Sequence, residues 1–101
     1  MDTRLANDII NQLQARRERF EWTQFHSMQA DYGELVEVII GNDSYYVIPF
    51  QSYTTVVGFT EMSDIHTFYE VGHYSRTTTR QVNRYCRENS LTKVSIDKLY
   101  R

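Results

Sequence analysis

Arg76, Arg80, Arg84 and Arg87 are spaced so that on a helix they share one narrow stripe, with Thr78, Val82, Tyr85 and Cys86 on roughly the opposite side. A segment patterned this way folds as an amphipathic helix with an apolar back that must dock and a cationic front that faces water or a partner. The spacing predicts a helix over residues 75–88. Ser75 or Thr77 caps its start, because a hydroxyl there accepts from an orphan amide of the first turn. The rest of the chain has to supply a surface that buries the apolar back.

Upstream, Leu5, Ile9 and Leu13 repeat at four, Ile10 widens the stripe and Phe20 continues it, which predicts a helix over 3–19 capped by Asp2 or Thr3. Arg16, Arg17 and Arg19 fall in its last turns, where cations complement the helix dipole. Phe20, Trp22 and Phe25 alternate with polar neighbours, as at entry to a strand. Asp31-Tyr32-Gly33 reads as a turn. Leu35 to Ile40 and Tyr45 to Phe50 read as two strands joined by turn residues Gly41-Asn42-Asp43-Ser44. Pro49, lacking an amide hydrogen, belongs near a strand end or at an edge. Ser52 to Thr60 is the third strand, Met62 to His66 a loop, and Thr67 to Val71 the fourth strand before Gly72 and His73 break the sheet. The tail, 91–101, reads equally as a short strand through Val94 and Ile96 or as a capped helical turn from Ser95 to Leu99. The expected fold is one α+β domain over 1–101: an N-terminal helix, a four-stranded antiparallel sheet within 22–71, and a C-terminal amphipathic helix. Both helices are expected on one face.

Eight Tyr, five Phe and one Trp supply enough large rings for a core without staples, since each buries about 150–250 Å². A single cysteine excludes an internal disulfide. His26, His66 and His73 share no ligand spacing, so neither metal nor cofactor is expected. Gly33, Gly41, Gly58 and Gly72 are isolated, which excludes a glycine-rich phosphate loop. Cys86 reads as a small buried hydrophobe with no base set beside it, and Asp64 with His66 lacks a nucleophile signature. An enzyme is not expected. Met1-Asp2-Thr3-Arg4-Leu5 has no signal-peptide pattern and no apolar run approaches ~18 residues. The expectation is a soluble cytoplasmic protein, away from membranes.

Charge is segregated along the chain. Residues 31–70 hold Asp31, Glu34, Glu37, Asp43, Glu61, Asp64 and Glu70 and no lysine or arginine. Residues 71–101 hold seven bases against Glu88 and Asp97. Two contact surfaces are therefore expected. A basic helix would present Arg76, Arg80, Arg84 and Arg87, with Gln81 beside them for base-edge or stacking contacts. An acidic region would be formed by Glu34, Glu37, Asp43, Glu61 and Asp64. Arginine forks suit phosphate and carboxylate; clustered acids with aromatics suit the basic groove of a nucleic-acid-handling protein. A third arrangement pairs the basic helix of one copy with the acidic sheet of another in a homo-oligomer.

Ser52-Tyr53-Thr54-Thr55-Val56-Val57-Gly58-Phe59, followed by Tyr74-Ser75-Arg76-Thr77-Thr78-Thr79-Arg80-Gln81-Val82-Asn83, resembles a small domain of unknown function found in phage and plasmid proteins, chiefly of Gram-positive bacteria. That domain carries a serine-tyrosine-x-threonine strand and a tyrosine-serine-x-threonine-threonine motif opening a helix. The resemblance spans about residues 45–90. It departs at Arg80-Gln81, where the family often has histidine. It implies a mobile genetic element and a non-enzymatic accessory protein that binds a host macromolecule, for instance an inhibitor of a defence nuclease such as a CRISPR effector. The alternative is a small nucleic-acid-binding or regulatory module whose arginine helix meets phosphates.

Overall fold

The computed structural model describes residues 1–25, 29–72 and 74–96, so His26, His73 and the end of the tail lie outside the described residues. Helix α1 runs over Thr3–Arg16, with Asp2 accepting from the Leu5 amide at 2.8 Å. It buries Ala6, Ile9, Ile10 and Leu13, then tightens into a 3-10 turn over Arg17–Arg19. The strands are β1 (Trp22–Gln24), β2 (Ala30–Gly33), β3 (Val36–Ile40), β4 (Asp43–Ser52), β5 (Thr55–Glu61) and β6 (Asp64–Glu70). Helix α2 (Arg76–Glu88) and β7 (Thr92–Ser95) follow.

The four-stranded expectation is wrong. Among the described residues seven strands form one sheet, ordered β1-β2-β4-β5-β6-β7, with β3 also pairing β4. Strands β3 to β6 are the four expected ones; β1 lies where Phe20 and Trp22 read as entry to a strand, β7 takes the strand alternative of the tail, and β2 replaces an expected turn. Asp31-Tyr32-Gly33 is not a turn but most of β2, paired with β1 on one side and β4 on the other. Gly33 is there for space: a Cβ on it would lie 2.7 Å from Pro49 Cγ and 3.3 Å from Trp22 Cζ3. The residues read as a loop at Met62 to His66 reduce to a two-residue turn, and Asp64 already belongs to β6.

Strand β4 is the axis of the sheet. One edge pairs β5 from Val47 to Ser52; the other pairs β3 from Asp43 to Val47 and then β2 from Phe50 to Ser52. Pro49 is buried in a central strand, not at an end or edge, and falls where β4 changes partner. A residue that cannot donate to a ladder costs least at such a junction.

The sheet is not wholly antiparallel either. Strand β7 runs parallel to β6, from Thr67↔Thr92 to Glu70↔Ser95. Parallel neighbours need a crossover, and α2 is that crossover.

The two helices lie on opposite faces, contrary to the one-face expectation. Adjacent side chains of a strand point to opposite faces. On β6, Tyr69 packs with Ile9, Leu13 and Phe59 in the α1 core, while Phe68 packs with Val82, Tyr85 and Cys86 in the α2 core. A β-bulge opposite Phe50 and Gln51 shifts the register of β5 by one residue. Val57 therefore faces α2 while Phe59, two residues on, faces α1.

Side chains of α1 also tie down exposed backbone. Gln12 Nε2 and Arg16 Nη1 donate to the Ile39 and Glu37 carbonyls at 2.9 Å each, covering acceptors of β3. Gln14 Oε1 accepts from the Val56 amide at 2.6 Å, and its Nε2 donates to the Thr54 carbonyl at 3.1 Å.

Candidate functional site

The serine-threonine segments singled out in the sequence meet in space. Ser52-Tyr53-Thr54-Thr55 is not a strand. Ser52 ends β4, Thr55 opens β5, and Tyr53 turns between them with φ +57°. The helix-opening segment lies over that hairpin. Ser75 caps α2, accepting from the Thr78 amide at 3.2 Å. Ser75 Oγ donates to Thr78 Oγ1 at 3.2 Å, Thr78 and Ser52 share a 2.8 Å bond, and Ser52 Oγ donates to Gln81 Oε1 at 2.7 Å. Each hydroxyl has one proton. Ser52 uses its proton on Gln81, so Thr78 must donate to Ser52, and the relay runs one way from Ser75 to Gln81. Gln81 is fully buried and cannot be a surface contact beside the arginines, as the sequence reading had it. That reading failed because the amide is matched to Ser52, 29 residues away.

The arginine stripe is divided. Arg76, Arg80 and Arg87 are exposed. Arg84 is partly buried and its Nε donates to Glu88 Oε2 at 2.8 Å. No acid occupies the first turn of α2. Arg76 and Arg80 therefore add to the positive end of the helix dipole instead of offsetting it.

The five acids do not form one site. Glu61 is buried, and its Oε2 accepts from the Ser63 amide at 3.0 Å and from the Ser63 hydroxyl, which shapes the β5–β6 turn. Asp64 Oδ2 accepts from the Tyr69 hydroxyl at 3.0 Å. Both line a cavity of about 390 Å³ with Met1, Leu5 and Tyr45, beside α1. Glu34 and Asp43 are exposed, in the β2–β3 connection and at the start of β4. Glu37 is exposed on β3 and accepts from Tyr46 Oη at 3.1 Å, which holds that phenol above its ordinary pKa.

An open half of the sheet was not expected. Val36 and Val38 face α1, so Glu37 and Ile39 point to the α2 face. Helix α2 packs over Phe50, Val57 and Phe68, and among the described residues no element covers this half. Ile39, Tyr46, Met62 and Ile65 are between 46% and 55% exposed, large for side chains of their kind. A ledge results, with β3–β6 as floor and the C-terminal end of α2 as wall. At the foot of the wall two cavities meet at Ile48, Tyr85 and Asn89. The larger, about 640 Å³, is lined by Gln24, Phe25, Tyr32 and Glu88; the smaller, about 160 Å³, by Thr60, Met62, Ile65 and Leu91. One trace of the ledge stood in the sequence: Ile39 occupies a position where alternation calls for a polar residue. Met62 and Ile65 were hidden in an apparent loop.

Burial pushes the Cys86 thiol up to about 11, the Tyr85 phenol to about 12 and the Tyr69 phenol to about 12, the last helped by its bond to Asp64. A thiol that is buried and un-ionised at neutral pH is a poor nucleophile. Cys86 is expected to react with a thiol reagent at pH 7.5 about 100-fold more slowly than a free cysteine, following the thiolate fraction, and at the ordinary rate once urea unfolds the chain. All three groups are held neutral by the fold and ionise more readily when unfolded. Stability is therefore full below about pH 9 and is lost as pH rises toward about 12. Circular dichroism followed with tyrosinate absorbance should show late-titrating tyrosines ionising together with loss of structure.

No described helix is long and apolar enough to cross a membrane. Compared with protein-family models, curated proteins and solved structures, the chain has no significant match to any of the three.

Proposed function

We propose that this protein is a non-enzymatic binding protein that docks, through the open half of its sheet, on a basic surface of a nucleic-acid-handling protein. The observation that carries this reading is the ledge: Ile39 and Tyr46 exposed around Glu37, with Met62 and Ile65 exposed further across the same face, all within residues 31–70, which contain no lysine or arginine. Apolar area contributes affinity, while carboxylates at the rim steer the encounter and select a cationic partner. The resemblance to phage and plasmid domains supplies the setting, a host bacterial cell, and makes a defence nuclease such as a CRISPR effector the sharpest candidate. The test is DNA cleavage by a panel of such nucleases with the protein titrated in. Dose-dependent inhibition that Ile39→Glu abolishes and Arg80→Glu leaves intact is the expected result. Inhibition by no member of the panel, or inhibition sensitive only to Arg80→Glu, overturns it.

A second reading is favoured by one observation, the exposure of Arg76, Arg80 and Arg87 along one side of α2. In that reading the stripe meets phosphates. Fluorescence anisotropy with a generic duplex would show affinity falling with salt at a logarithmic slope of about −3, because three free guanidinium groups displace about that many counterions. Arg76→Glu with Arg80→Glu would remove the binding.

A further inference from the structure

We propose that the cleft at the foot of α2 anchors the docked partner, taking a lysine or arginine side chain in its larger cavity and a neighbouring aliphatic side chain in its smaller one. This rests on the docking reading and adds the identity of the contacting segment: a stretch of polypeptide that alternates basic and aliphatic residues.

The larger cavity has the features a cation needs. Phe25, Tyr32 and Tyr85 present aromatic surface, to which an ammonium or guanidinium is attracted. The negative end of the α2 dipole lies there, and Glu88, Asn89 and Gln24 add side-chain oxygens. Glu88 is paired with Arg84 at 2.8 Å, so an incoming cation would share that carboxylate with Arg84. The smaller cavity, about 160 Å³, offers Ile48, Met62, Ile65 and Leu91 to an aliphatic side chain. The two share Ile48, Tyr85 and Asn89, so residues close together in one segment reach both. Charge argues against a second copy stacked ledge to ledge, which would bring Glu37 and its Tyr46 partner against their own kind with no cation from residues 31–70 to offset them.

The probe is a capped tetrapeptide alternating arginine and leucine, titrated into the isotope-labelled full chain and followed by amide and methyl chemical shifts. A matched peptide with glutamate in place of arginine is the control. Saturable shifts at Tyr85, Glu88, Asn89 and Ile48 with the arginine peptide alone are expected. Glu88→Gln, an exposed position whose loss leaves thermal unfolding nearly unchanged, should weaken binding about tenfold, and Tyr32→Leu should weaken it as well. Equal shifts with both peptides overturn the preference for a basic side chain. Shifts confined to Ile39 and Tyr46, which line neither cavity, overturn the cleft while leaving the docking reading standing. No shift anywhere also overturns the cleft, and the nuclease assay then decides the docking reading separately.

Discussion

Gly58→Ala is expected to cost about 3 kcal/mol, the upper end of the usual range for overpacking a core, and to lower Tm by about 12–24 °C in a domain of this size. The cause is a lack of room. A Cβ on Gly58 would lie 2.4 and 2.5 Å from Phe68 ring atoms and 2.5 Å from the Tyr69 carbonyl oxygen. Phe68 is fully buried against Phe50 and Tyr85, with ring centroids 5.9 Å away in both cases, so its ring has nowhere to go. Shrinking that ring with Phe68→Leu in the alanine background should recover only part of the loss, because the Tyr69 carbonyl is backbone and stays in place. Thermal and urea unfolding measure both. A loss under about 1 kcal/mol would mean that the bulge opens to admit a side chain.

The second large effect is expected at Gln81. Gln81→Ala should cost about 2–4 kcal/mol, since it opens a cavity and leaves the Ser52 donor unpaired beneath α2. Gln81→Leu fills the space and isolates the second contribution, which should lie near 1–3 kcal/mol. Adding Ser52→Ala to Gln81→Leu should then cost less than the sum of the two single changes, because the orphaned donor goes with its partner. Strict additivity in that cycle would refute the one-way relay from Ser75 to Gln81. Surface binding by α2 offers a contrast: Arg80→Glu alters an exposed side chain and should leave stability within about 0.5 kcal/mol.

These two positions mark where sequence reading stopped. Gly58 looked like any isolated glycine, because the ring that excludes a Cβ arrives from another strand. Gln81 looked like a surface contact, because a polar residue next to Arg80 is exposed unless something distant satisfies it, and Ser52 does. The acidic set failed in a similar way. Charge counting grouped Glu61 and Asp64 with Glu37, yet Glu61 folds its own turn and Asp64 holds Tyr69, both beside α1.

What the chain determined by itself was local. The periodicity of α1 and α2, a capping side chain at the start of each, the β3–β4 turn, the arginine stripe and the absence of cations from residues 31–70 all depend on neighbours within a few positions. Tertiary structure decided the rest. It set β2, the choice of strand over helical turn in the tail, the parallel β6–β7 pair, the opposite-face placement of the helices and the ledge that α2 leaves open. Each of these depends on which strand edge or face a segment meets across the sheet, and a strand's pattern records that one side is buried without recording what buries it.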